Sequence, residues 1–211
     1  MSFLKVKDLA KIYHYDDYSV LSDLSFEVDR GQVTTLFMGQ NGGKTTLAKI
    51  LVGLEGWSQG EIILEDKNLE QIPPSHRNIA FISVPSLYGK GRVEDNVAYG
   101  LIVRGMDKKN ARIQALALLQ EYGVDSLARA KVKDLSPLQR IKLDFARAFC
   151  RKVDLLLLDG CFGKNSDIDA FLQEEIYKRQ SQGVAVLSLC DDKKYAIGRT
   201  YDFLSFFEKN D

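Results

Sequence analysis

Gly39-Gln40-Asn41-Gly42-Gly43-Lys44-Thr45-Thr46 is the stretch whose residue types and spacing speak most directly of chemistry. Glycines let backbone N–H groups curl around a phosphate with no Cβ in the way. A helix that opens at the end of such a loop adds partial positive charge. Lys44 would then reach the outer phosphates, and the Thr45 hydroxyl would bind Mg²⁺. The match to G-x-x-x-x-G-K-[ST] is imperfect. Counted back from Gly43, the first glycine falls on Met38; counted from Gly39, the loop is one residue short. The first alternative places a bulky residue in a tight turn, and the second removes one N–H donor. Residues 155–159 are a second candidate, four leucines ending in Asp159. A buried strand that delivers one carboxylate at its C-terminal tip suits a Mg²⁺-water ligand. It equally suits a strand end at which Asp begins a turn.

These groups need elements to position them. Residues 33–37 are a short β-branched run, read as a buried strand before the loop. Leu47, Ile50, Leu51 and Leu54 recur at helical spacing after it. Leu4, Val6, Leu24, Phe26 and Val28 alternate with polar residues, the pattern of an antiparallel, half-buried sheet. Further strands are expected at 62–64, 79–82, 155–158, 184–187 and 203–207. Residues 93–123 read as helical, with Ile113, Leu116, Leu119 and Tyr122 on one face. Ser136-Pro137 opens a helix striped by Leu138, Ile141, Phe145 and Phe149, and 167–182 form another, with Ile168, Phe171, Leu172 and Ile176 inward. Strands alternating with helices predict an α/β fold with a mainly parallel core sheet and an N-terminal antiparallel β part. The helical block of about 93–150 is expected as a subdomain within one domain of residues 1–211.

Composition narrows the function classes. Lys+Arg and Asp+Glu are 29 each among 211 residues, so the net charge is zero. Nucleic-acid binders held by phosphate contacts carry a basic excess, so no nucleic-acid partner is expected. At 45% hydrophobic and 10% aromatic, the chain has enough apolar material for a packed core. Cys150, Cys161 and Cys190 lack motif spacing and read as small apolar fillers in a reduced, cytosolic chain. No apolar run approaches the ~18 residues of a membrane span, and the N-terminus lacks a secretory pattern.

Taken together, the chain resembles the nucleotide-binding subunit of an ABC transporter, particularly of the importer type, over nearly its whole length. Tyr13, in Lys11-Ile12-Tyr13, falls where that family stacks an aromatic ring on adenine. Gly31 to Thr46 matches its phosphate loop (Walker A). Pro74-Ser75-His76-Arg77-Asn78-Ile79 and Val93-Glu94-Asp95-Asn96-Val97-Ala98-Tyr99-Gly100-Leu101 resemble the flanks of its Gln loop. Leu135-Ser136 begins its signature segment and Ala146-Arg147-Ala148 ends it. The resemblance implies a P-loop NTPase fold of ABC type, with ATP and Mg²⁺ as cofactors. It assigns nucleotide binding to Tyr13, Gly39, Asn41, Gly42, Gly43, Lys44, Thr45 and Thr46. It assigns the metal to Thr45 and Asp159, and the signature to Ser136 and Gln139. The implied partners are a transmembrane permease subunit and a second ABC subunit in a head-to-tail homo- or heterodimer. The implied location is cytoplasmic, peripheral at the inner face of the membrane. In the family a groove near the Gln loop receives a helix of the permease; Leu87-Tyr88-Gly89-Lys90-Gly91-Arg92 is either part of that contact or a solvated loop.

The departures fall on the chemistry. The family's catalytic Glu position, after the Mg²⁺ aspartate, holds Gly160, and its switch-His position holds Asp191. Loss of a positioned base costs ~10²–10⁴ in rate. No Gln occurs between Asn78 and Gly100, where the Gln-loop position falls on Ser83 or Val84. The signature L-S-G-G-Q reads Leu135-Ser136-Pro137-Leu138-Gln139, in which Pro137 has no N–H and Leu138 adds a side chain. Ser136 and Pro137 also suit plain helix capping. After Asp159 the family's S-x-L-D turn reads Gly163-Lys164-Asn165-Ser166. The expected function is an ATP-binding transporter subunit with weak or lost hydrolysis. The alternatives are a non-catalytic scaffold or regulatory protein, and a degenerate partner of an active ABC subunit.

Overall fold

The computed structural model describes residues 2–13, 18–84 and 90–203. Strands β1 (Ser2–Tyr13) and β2 (Tyr18–Asp29) pair antiparallel, and β1 also pairs antiparallel with β4 (Gln59–Leu64). With β5 (Lys67–Asn68), they form a sheet in the order β2-β1-β4-β5. The second sheet is wholly parallel. It contains β3 (Val33–Phe37), β6 (Ile79–Ser83), β7 (Leu155–Asp159), β8 (Ala185–Cys190) and β9 (Arg199–Asp202), in the order β6-β7-β8-β3-β9. Every residue of β3, β7 and β8 is buried, which is why these strands are continuous apolar or β-branched runs.

The parallel sheet divides two cores, because successive side chains on a strand point to opposite faces. Leu155, Leu157, Ala185 and Leu187 face the antiparallel sheet and α1 (Lys44–Val52). Leu156, Leu158 and Val186 face the helices on the other side. Those are α2 (Val93–Ile102), α3 (Lys108–Glu121), α4 (Pro137–Ala148) and α5 (Ser166–Ser181). The α/β architecture with its antiparallel N-terminal part is therefore as the sequence predicts. Among the described residues, no helix is long and apolar enough to cross a membrane.

Three local expectations need correction. Leu54 is outside α1 and 66% exposed. The helix ends because Gly53 turns left-handed at φ 82°. Arg77 Nη1 then donates to the terminal carbonyls of Ile50 and Leu51, at 3.1 and 3.0 Å. The helical block of 93–123 is two helices. Gly105 at φ 93° lies in the break, and Asp107 caps α3 through the backbone N–H groups of Lys109 and Asn110. The inward stripe of α3 is Ala111, Ala115 and Leu119, while Ile113 and Leu116 are 59% and 41% exposed. Small alanines let α3 pack closely, so size at the helix contact outweighed hydrophobicity. The last described strand is β9, with buried Phe203 just after it. The rest of the 203–207 expectation lies outside the described residues. Cys161 and Cys190 are buried and Cys150 is half-buried, all three free, which fits their reading as fillers.

Candidate functional site

The phosphate-loop segment begins where β3 ends. The Met38 N–H donates to the Cys190 carbonyl at 3.1 Å, tying the chain to the tip of β8. The Met38 side chain is fully buried in the core, so the turn away from the strand is made by Gly39 at φ 67°. Asn41 and Gly43 are also left-handed, at φ 58° and 75°. Glycine is required at two positions for different reasons. A Cβ on Gly42 would lie 1.6 Å from the Met38 carbonyl oxygen, because the loop closes on its own first residue. A Cβ on Gly43 would meet Leu21 Cδ2 at 2.5 Å and the Val20 carbonyl oxygen at 2.7 Å. The loop is thus wedged between β8 and β2.

Gly43 is also the N-cap of α1, with no side-chain cap and no acidic residue in the first turn. The first N–H groups of α1 are left without a side-chain acceptor, which is the condition for holding an anion. Lys44 Nζ donates to the Gly39 carbonyl. Thr45 Oγ1 donates to Asp159 Oδ2 at 2.7 Å. That bond spans the width of β8, which lies between β3 and β7. Burial pushes the Asp159 carboxyl above the usual carboxylate range and the Asp191 charge adds to the rise, against the Thr45 hydroxyl and Lys44. Thr46 follows half-buried in the first turn of α1. Tyr13 ends β1, 40% exposed, with Lys11 Nζ 4.8 Å from its ring centroid. Lys11 pairs with Leu21 across the β1–β2 ladder, so the strand end bearing Tyr13 lies beside the loop.

Gly160 has φ 60° and donates its N–H to the Leu189 carbonyl at 3.2 Å. The space around its absent Cβ is open, so the backbone rather than crowding favours glycine there. Asp191 is exposed at the tip of β8, immediately after Cys190. Ser83 stands opposite Asp159 in the β6–β7 register. Ser136 and Gln139 are engaged with each other. The Gln139 N–H donates to Ser136 Oγ at 3.3 Å and the Ser136 N–H to Gln139 Oε1 at 2.9 Å, a reciprocal capping box at the start of α4. Pro137 is the first residue of that helix, so the capping reading describes this segment correctly. No group of three or more His, Cys, Asp or Glu side chains suited to a metal occurs among the described residues.

One feature escaped the sequence reading. A cleft of about 360 Å³ runs between the end of α1, β6, α2 and α4. Leu54, Tyr99 and Val103 line it, and all three are exposed apolar residues. Arg104, Arg147 and Arg151 bring cations to the same wall, and Asp144, paired with Arg147, brings an acid. The signal was present in the sequence as Tyr99 on α2 and Val103 at its C-cap, one turn apart, but no pattern showed that this face would be exposed. Of the segment 87–92, only residues from Lys90 onward are described.

Comparison with known proteins follows the same outline. The family model described as ABC transporter matches residues 21–163. The chain is 32% identical over 170 residues to the osmoprotective compounds uptake ATP-binding protein GgtA of Synechocystis, covering 80% of this chain and 46% of that protein. It is 31% identical over 200 residues to the spermidine/putrescine import ATP-binding protein PotA of Mycoplasma mycoides, covering 93% of this chain and 56% of that protein. The chain thus spans about half the length of these relatives. Among solved structures, the ADP conformation of an ATP-binding cassette of an ABC transporter aligns with a TM-score of 0.77 at 18% identity, over 97% of this chain and 88% of that one. A nucleotide-free ATP-binding cassette aligns with a TM-score of 0.79 at 18% identity, over 97% and 88%. The match over most of the sequence, on a fold shared with ATP-binding cassettes, shows that the chain belongs to the ABC transporter family.

Proposed function

We propose that this chain is the ATP-binding subunit of an importer-type ABC transporter, binding Mg²⁺-ATP with weak or absent hydrolysis. The carrying observation is the Thr45–Asp159 hydrogen bond at 2.7 Å beside an uncapped helix start. It sets a hydroxyl and a carboxylate side by side, the donor set a Mg²⁺ ion shares with phosphate oxygens and water. The residues fit the group. Gly39, Asn41, Gly42 and Gly43 leave the loop free of obstructing Cβ atoms where it closes. Lys44 needs only to release the Gly39 carbonyl to reach a phosphate, and Thr46 would add a first-turn donor. Tyr13 would stack on the base. Mg²⁺ would supply charge neutralisation of the phosphates.

The groups a fast ATPase needs are missing in this reading. Gly160 offers no base to position water. The capping box consumes the polar groups of Ser136 and Gln139, and Pro137 has no N–H, so α4 has little to give a neighbouring phosphate. This last observation also favours the second reading, a non-catalytic scaffold or degenerate partner that keeps the fold. We read residues 1–211 as one nucleotide-binding domain with a helical subdomain at about 93–150. The cleft bearing Leu54, Tyr99 and Val103 is where a permease helix would dock, which would hold the chain at the cytoplasmic face of the membrane. The relatives' printed roles in uptake and import support the importer assignment.

Thermal melting tests the reading. Mg²⁺-ATP at ~100 times its Kd adds about 2.7 kcal/mol to the stability of the native state, so the melting temperature is expected to rise. Lys44→Ala is expected to abolish the rise. No rise at millimolar Mg²⁺-ATP in the unaltered chain would remove the nucleotide-binding reading, and rapid Lys44-dependent turnover would remove the claim of weak hydrolysis.

A further inference from the structure

Asp191 stands exposed at the tip of β8, with no ion-pair partner among the described residues. It follows β8, the strand between the two that deliver the phosphate loop and Asp159. Both flanking loops are clipped to this strand tip. The Met38 N–H donates to the Cys190 carbonyl at 3.1 Å, and the Gly160 N–H to the Leu189 carbonyl at 3.2 Å. The backbone that leads into Asp191 is therefore fixed between the two loops, with the exposed carboxylate close enough to Asp159 to contribute to the rise of its pKa.

The surrounding ions are already committed. Lys193 Nζ pairs with Asp202 at 2.7 Å and lies 5.2 Å from the Phe37 ring centroid. Lys194 Nζ pairs with Asp192 at 2.8 Å, and the Asp192 carboxylate also accepts the Lys194 N–H at 3.0 Å. Asp192 thus belongs to the turn that follows. Asp191 makes no hydrogen bond or ion pair with any described residue. Lys44, next to the loop, is a cation of the site that also acts on Asp159.

We propose that Asp191 is a specificity-determining residue that makes this site prefer a nucleoside diphosphate to a triphosphate. The inference rests on the nucleotide-binding reading above. A phosphate chain that starts at the loop and passes Lys44 toward the Thr45–Asp159 pair would bring its outermost group toward the β8 tip, because β8 lies between β3 and β7. Each added phosphate brings negative charge to the end where Asp191 stands. A diphosphate stops short of it. Were the two charges about 6 Å apart at an effective dielectric constant of about 40, between the protein-surface and bulk-water values, the repulsion would weaken binding roughly tenfold.

Calorimetric titration of the full chain with Mg²⁺-ADP and Mg²⁺-ATP tests this, alongside the isosteric Asp191→Asn variant. The side chain is exposed, so the variant is expected to melt within a degree or so of the parent. The unaltered chain should bind Mg²⁺-ADP about tenfold more tightly than Mg²⁺-ATP. Asp191→Asn should tighten Mg²⁺-ATP about tenfold and leave Mg²⁺-ADP within about twofold. The ATP-specific gain should shrink as salt is raised. An ADP:ATP ratio near one in the parent, or a variant that shifts both nucleotides equally, overturns the proposal while leaving nucleotide binding intact. Failure of either protein to bind either nucleotide overturns the nucleotide-binding reading itself, and this proposal with it.

Discussion

Two helix starts in this molecule answer the same electrostatic problem in opposite ways. At α1 the N-cap is Gly43, which contributes no side chain, and the first turn contains no acid. At α4 the N-cap is Ser136, which exchanges hydrogen bonds with Gln139, and Pro137 removes one donor altogether. Both ends begin with unpaired first-turn N–H groups, one fewer at α4 because of Pro137, and a dipole of the same sign. One leaves them for a ligand and the other spends them on itself. The difference is that α1 withholds its own side-chain acceptors, which leaves its first N–H groups available to an anion, while α4 supplies them. In the proposed reading, the chain keeps a nucleotide-binding loop at α1 while the segment at Ser136 caps its own helix.

Substitutions can break or sharpen that contrast. The largest effect is expected from Gly42→Ala. The new methyl would fall 1.6 Å from the Met38 carbonyl oxygen, so the loop must move. A loss of at least about 2 kcal/mol is expected, seen as a melting point lowered by roughly 4–8 °C for a chain of this size, together with loss of Mg²⁺-ATP binding. A variant that melts and binds like the parent would mean that the loop does not close on Met38.

Gly160→Glu comes next. It restores the acid but forces a side chain to φ 60°, at a cost of about 1–2 kcal/mol. Urea denaturation should show that loss, and turnover should stay at background because Ser136, Pro137 and Asp191 remain as they are. Recovery of rapid hydrolysis by this change alone would show that α4 supplies what the site needs.

Ser136→Ala is expected to be the mildest of the three. It removes the cap and costs about 1 kcal/mol in a urea melt. The affinity of the isolated chain for Mg²⁺-ATP should change less than about twofold. A large loss of affinity would mean that Ser136 meets the nucleotide and that the two helix starts are less different than they look.

Much of the frame was legible in the residues. The leucine run of β7 and the β-branched run of β3 announced buried parallel strands because both faces of such strands are covered. Ser136-Pro137 announced a helix start because capping is local chemistry. The stripe of α3 was not legible. Ile113 and Leu116 look like core residues, yet the tight contact between helices selected the alanines on the neighbouring face. Leu54 was misplaced because Gly53, just before it, turns left-handed and Arg77, distant in sequence, takes up the last carbonyls of α1.

The sequence alone determined the strand order along the chain, the glycine-rich loop, the acid at the end of β7 and the absence of the expected base, histidine and signature glycines. These are properties of residue type and short-range spacing. Only the tertiary structure decided that Met38 points into the core and Gly39 makes the turn. It alone set Thr45 against Asp159 across an intervening strand, and left Asp191 exposed and unpaired among the described residues while Asp192 is held in its own turn. Those outcomes depend on which strand lies between which, and strand adjacency arises from burying both faces of the sheet at once.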